Sequence, residues 1–74
     1  MTLKMYTIKD ELNGHTAPIP LNNDETAKRY FAEIKRTNPQ IVTEPKDFSV
    51  WYIGEFDTET GLMLPNEPKL IERG

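Results

Sequence analysis

The 74-residue sequence has no cysteine and a single histidine, His15. Disulfide staples and thiolate metal sites are therefore excluded, as is a zinc site built on several imidazoles. No apolar run approaches the ~18 residues that a membrane-spanning helix needs. The lysine near the start, Lys4, is not followed by a continuous apolar segment of the signal-peptide kind. A cytoplasmic protein that does not engage membranes is expected. Glycine is scarce, with four residues, and nowhere gathers into a phosphate-cradling loop. Ser49 has no partner base, because the only imidazole lies in a distant turn, and a hydrolytic triad is not expected. The chain reads as a non-enzyme without cofactor or metal. Net charge is −3, which argues against coating nucleic acid by bulk charge, since phosphate binding draws on Lys and Arg that release counterions. The charge is uneven: residues 26–36 hold four cations and one anion (+3), and residues 54–74 hold five anions and two cations (−3).

What the sequence does hold is organised around residues 48–61, FSVWYIGEFDTETG, which contain the only tryptophan. Ring-bearing and β-branched residues fit a pleated, half-buried surface, so a strand is expected at residues 48–56. Gly54 stands at the strand end in this reading, and Asp57 to Gly61 form a tight turn. Gly61 supplies positive φ there, and the Asp57 carboxylate accepts from N–H groups just ahead. Before this lies a first strand at about residues 3–9, then the turn signal Asn13-Gly14. Residues 16–21 carry Pro18 and Pro20, so they read as an edge strand or extended strip. Asn22 or Asn23 caps a helix with Asp24 and Glu25 in its first turn. Ala27, Tyr30, Phe31 and Ile34 recur at helical spacing on one face, and Asn38-Pro39 ends the helix. Residues 40–47 are a polar connector in which Ile41-Val42 can pack. A short return strand at residues 62–64 is stopped by Pro65, leaving residues 65–74 as a loose or partner-docked tail of a single domain spanning residues 1–74. The fold class is α+β: a small antiparallel-leaning sheet of three to four strands, in ββαββ order, with one amphipathic helix on one face.

Two features are candidates for binding. Lys28, Arg29, Lys35 and Arg36 fall on the helix arc away from the apolar stripe, around Ala32, and form a seat for a phosphate backbone or a solvated face helped by the Arg29–Glu33 spacing. On the main strand, Trp51 and Ile53 share one face while Val50, Tyr52 and Phe56 share the other. One helix covers one face only, so Trp51 or Tyr52 is core, interface, or a platform for unstacked bases. The acids Glu55, Asp57 and Glu59 lack the spacing of a helix-loop-helix calcium loop and read as turn caps.

The opening Tyr6-Thr7-Ile8-Lys9-Asp10, followed by a helix, matches the form aromatic-x-Ile-x-Asp. Later, Ile53-Gly54-Glu55-Phe56-Asp57 with Thr60-Gly61 matches the form Ile-Gly-x-aromatic-Asp-x-x-Thr-Gly. With these motifs in this order, the chain resembles the small nonstructural proteins of gokushovirus-type single-stranded-DNA phages of the Microviridae. The resemblance implies a small phage protein made in the host cytoplasm during infection, absent from the virion shell and DNA-binding, acting in replication or the switch to single-strand packaging. It carries over no catalytic residues. The functional expectation is weak single-stranded-DNA binding through Lys28, Arg29, Lys35 and Arg36, with Trp51 or Tyr52 stacking on bases. The alternative is an adaptor that engages a host or phage protein through its sheet edge or face. A homo-oligomer is expected, because so short a chain builds only a small core.

Overall fold

The computed structural model describes residues 1–74. In chain order it contains β1 (Thr2–Asp10), β2 (Gly14–His15), β3 (Ile19–Leu21), α1 (Asp24–Thr37), α2 (Pro39–Thr43), β4 (Phe48–Asp57) and β5 (Met63–Arg73). The aromatic-rich stretch is β4, the centre of a wholly antiparallel five-stranded sheet. β1 and β5 flank it, and β2 and β3 both pair with the outer edge of β1. The expected α+β architecture holds. One expected strand is divided differently: the Asn13-Gly14 turn is followed at once by the two-residue β2, and only Ile19–Leu21 of the proline-rich strip pairs as β3.

Helix α1 follows from its local signals. The Asn23 side chain accepts from the Thr26 N–H at 2.8 Å, and Asp24 and Glu25 occupy the positive end of the helix dipole. Its apolar stripe then lies on the sheet. Ala27 and Phe31 are fully buried against Tyr6, Ile8 and Val50, and each large side chain so buried contributes about 1.5–3 kcal/mol. Tyr6 ties three elements together. Its hydroxyl donates to Asp24 Oδ1 at 2.7 Å, and Asp24 lies 3.8 Å from the Lys69 ammonium of β5. Burial, and then this bond to a carboxylate, push the Tyr6 hydroxyl well above the ordinary tyrosine range.

Three segments depart from the sequence reading. Asn38-Pro39 ends α1 but also starts α2, because the Asn38 side chain accepts from the Gln40 N–H at 3.0 Å with Pro39 in the first turn. The connector is thus a short helix and a 3-10 turn (Pro45–Asp47), with Ile41 buried and Val42 outside. Residues 65–74, expected as a tail, belong to the 11-residue strand β5. Pro65 and Pro68 do not stop it because β5 is an edge strand, where a missing N–H need not break a ladder. Third, Gly54 sits inside β4. Its φ is +141°, and a Cβ there would stand 2.4 Å from the Leu64 carbonyl oxygen, so the strands meet at a spot only glycine fits.

That irregularity decides which way the end of β4 faces. Tyr6 pairs with Tyr52 but Met5 pairs with Gly54, so Ile53 is an extra residue on β4. One extra residue reverses the alternation beyond it. Phe56, expected beside Tyr52, instead pairs with Leu3 on the opposite face.

The turn between β4 and β5 forms as expected. Gly61 has φ +78°, its N–H donates to the Asp57 carbonyl at 2.8 Å, and Asp57 Oδ1 accepts from the N–H groups of Glu59 (2.8 Å) and Thr60 (3.3 Å). These backbone donors hold the Asp57 carboxyl below the usual carboxylate range. A lowered folded-state value means the carboxylate adds stability at neutral pH and loses it as pH falls through that value. Asp57→Ala is therefore expected to lower the urea midpoint at neutral pH and to differ less from the parent chain near pH ~2. A gap that stays constant across this range would show that the charge contributes nothing.

Candidate functional site

Because α1 covers only one side, the other face of the sheet is left open. β1 sets its composition by alternation. Tyr6 and Ile8 point to the helix, so Leu3, Met5, Thr7 and Lys9 point away. Their register partners complete four rows: Lys9–Ser49–Arg73, Thr7–Trp51–Leu70, Met5–Gly54–Pro65 and Leu3–Phe56–Met63. His15 of β2 pairs beside Lys9. None of these positions is an aspartate or glutamate.

Trp51 is the centre of the first two rows. Its indole N–H donates to Ser49 Oγ at 2.8 Å, fixing the ring across the sheet. The Lys9 ammonium lies 5.6 Å from the ring centre, a cation–π distance, and the His15 ring meets its edge at 5.9 Å and 71°. His15 is itself held from below, with Nδ1 2.6 Å from Oγ1 of the buried Thr7. Trp51 is half-buried, and neither Lys9 nor Arg73 enters an ion pair. An aromatic ring beside a row that carries two unpaired cations and no acid can stack on a base and hold the phosphates next to it.

The helix cations lie on the other side of the molecule. At ~100° per residue, Arg29 and Arg36 form one outward row, while Lys28 and Lys35 flank the buried stripe. Lys28 is 3.7 Å from Glu25 and Arg36 pairs with Glu33, so two of the four share their field with acids of the same helix. Lys35 sits 5.1 Å over the Phe31 ring, and Arg29 has no ion-pair partner. Tyr52 also belongs to the helix side. Its ring packs on Tyr6 at 5.5 Å, and burial raises its hydroxyl above the usual value. Of the six residues that the sequence grouped as a binding site, only Trp51 is on the open face. Lys9 was legible as the partner of Thr7 in the β1 alternation. Arg73 was not, since its place depends on β5 reaching the end of the chain.

A concavity of about 480 Å³ lies between the β1–β2 turn and α2 and is lined by Asp10, Thr43, Glu44, Asp47 and Phe48 among others. The Asp10 carboxylate there accepts from the Leu12 N–H at 3.0 Å and from Asn13 Nδ2 at 2.7 Å, bonds that close the turn.

Neither a curated protein nor a solved structure matches the chain. A family model does: the one described as Phage ORF5 protein covers residues 3–74, both helices and all of the sheet but Thr2. With the match spanning all but the first two residues, this small phage protein belongs to the Phage ORF5 protein family.

Proposed function

We propose that the protein is a non-enzymatic binder of single-stranded DNA that grips its ligand across the open sheet face, in the service of phage genome replication or packaging. The resemblance to the gokushovirus-type nonstructural proteins supports the choice of ligand. The observation that carries the placement is the half-buried Trp51 with the Lys9 ammonium 5.6 Å from its ring centre, in register rows that hold no acid. A base stacks on the indole, and Lys9 moves from the ring to a phosphate while Arg73 takes another. Two phosphate contacts give a modest affinity with a salt slope of about −1.4 on single strands.

Trp51 is the only tryptophan, so its fluorescence reports the site directly. Titration with oligothymidylate in dilute buffer is expected to quench it. Trp51→Ala is expected to weaken binding, followed by anisotropy of a labelled oligonucleotide, by about 5- to 150-fold, the worth of one base–aromatic stack. Lys9→Gln or Arg73→Gln should each flatten the salt slope by about 0.7, whereas the pair Arg29→Gln and Arg36→Gln should not. Binding that survives at Trp51→Ala but disappears with the two helix arginines would move the site to α1. No binding in dilute buffer would end the reading.

A further inference from the structure

We propose that Phe56 is a second stacking platform and that the open face takes an extended, unstacked single strand lying across both rings. This inference rests on the reading of the face as a nucleic-acid surface, and it names the form of strand that the face selects. The extra residue Ile53 rotates Phe56 out of the helix side and into the same face as Trp51, two rows away. Between the two rings lies the row Met5–Gly54–Pro65, which has no charge and, at Gly54, no side chain. Met5 and Gly54 are buried there, with the β5 backbone packed against Gly54, so a strand passes over this row without entering it.

The separation sets the ligand's conformation. Thr7 and Leu3, the β1 partners of Trp51 and Phe56, are four residues apart, about 13 Å at ~3.3 Å per residue. Successive bases of a stacked strand are about 3.4 Å apart, and in a duplex their edges are turned inward to their partners. A duplex cannot offer separate bases to both rings. A drawn-out single strand can, with at least one nucleotide crossing the middle row. The charges also favour this occupant over a second copy of the chain. Lys9 and Arg73 enter no ion pair and their rows hold no acid, so closing two copies over each other would bury these cations against apolar rows, at a high desolvation cost. A polyanion brings the missing charge with it.

The test is a length series of oligothymidylates, from the dinucleotide to about 16 nucleotides, titrated against the full chain by Trp51 quenching and anisotropy. Parent affinity is expected to step upward once the strand reaches both rings. Phe56→Ala should remove that step, a loss of about 5- to 150-fold for the long strands, and leave dinucleotide binding unchanged. Trp51→Ala should weaken binding at every length. Should Phe56→Ala lower the thermal midpoint sharply, Phe56→Trp and Phe56→Leu replace it: the first should keep the step and the second lose it. Long-strand affinity unchanged in Phe56→Ala or Phe56→Leu, with Trp51 still quenched, would overturn the second platform and leave the Trp51 site standing. Absence of quenching at every length would remove both. A blunt duplex binding as tightly as the single strand, or a ligand-free dimer in solution that Phe56→Ala dissociates, would also overturn the proposal.

Discussion

Phe31→Ala is expected to cost about 3–5 kcal/mol, the usual range for emptying a buried ring site. The ring is fully buried and touches a cluster made of Tyr6, Ile8, Ala27 and Val50, and this cluster is nearly all the deep core that the chain has. Stability of a 74-residue domain is on the order of 4–11 kcal/mol, so the substitution removes a large part of it. The thermal midpoint should fall by about 12–40 °C, or the variant should be unfolded at room temperature. Val42→Ala, at a side chain 51% exposed on α2, is the comparison and should stay within about 0.5 kcal/mol. Equal small shifts for both, measured by urea unfolding, would mean that α1 does not dock on the sheet as described.

How much could be read in advance depends on whether a signal is local. The Asn23 cap, the stripe Ala27, Tyr30, Phe31 and Ile34, and the stop at Asn38-Pro39 each act within one or two turns, and α1 stands where they place it. The Asp57–Gly61 turn is local in the same way. β5 was misread because the cost of a proline depends on whether a strand is at an edge, which only the assembled sheet determines. The face of Phe56 was misread because a bulge is a relation between two strands. An isolated glycine inside a strand pattern was its one hint. The residues that carry the family resemblance, Gly54, Asp57 and Gly61, all set backbone shape at this bulge and turn, so they speak for the fold and leave the chemistry open.

The candidate site was legible in its aromatic and not in its cations. Summed along the chain, positive charge peaks on α1, and that pointed to Lys28, Arg29, Lys35 and Arg36. In space, Glu25 and Glu33 dilute that peak. Of the acids in the carboxyl-terminal half, Glu55 and Glu72 pair with the helix-side residues Lys4 and Val50, and Asp57 and Glu59 lie at the turn. In the rows of the open face the charged residues are Lys9 and Arg73, and neither enters an ion pair. A molecule of net charge −3 can thus present a locally positive surface, because a ligand meets the field of one face before it meets the sum.

Gly54→Ala is the substitution that tests this geometry most severely. With φ at +141° and the new methyl 2.4 Å from the Leu64 carbonyl oxygen and 3.1 Å from the Asn66 nitrogen, neither β4 nor β5 can yield without changing register. Conformational strain alone costs about 1–3 kcal/mol at such a residue, and the backbone collision adds to it. Gly61→Ala separates the two effects. Gly61 also has positive φ, +78°, but a Cβ there meets nothing within 4 Å, so it should cost only about 1–2 kcal/mol. Urea unfolding should therefore rank Gly54→Ala clearly below Gly61→Ala. Amide exchange should show the larger opening in β5 around Leu64 to Asn66 while β1 keeps its protection. Since the same bulge aims Phe56 at the open face, Gly54→Ala should also abolish the length step in oligothymidylate binding, and Gly61→Ala should not. Equal costs for the two alanines would show that the strands have room at Gly54, and Phe56 would then have no structural reason to face Trp51's side.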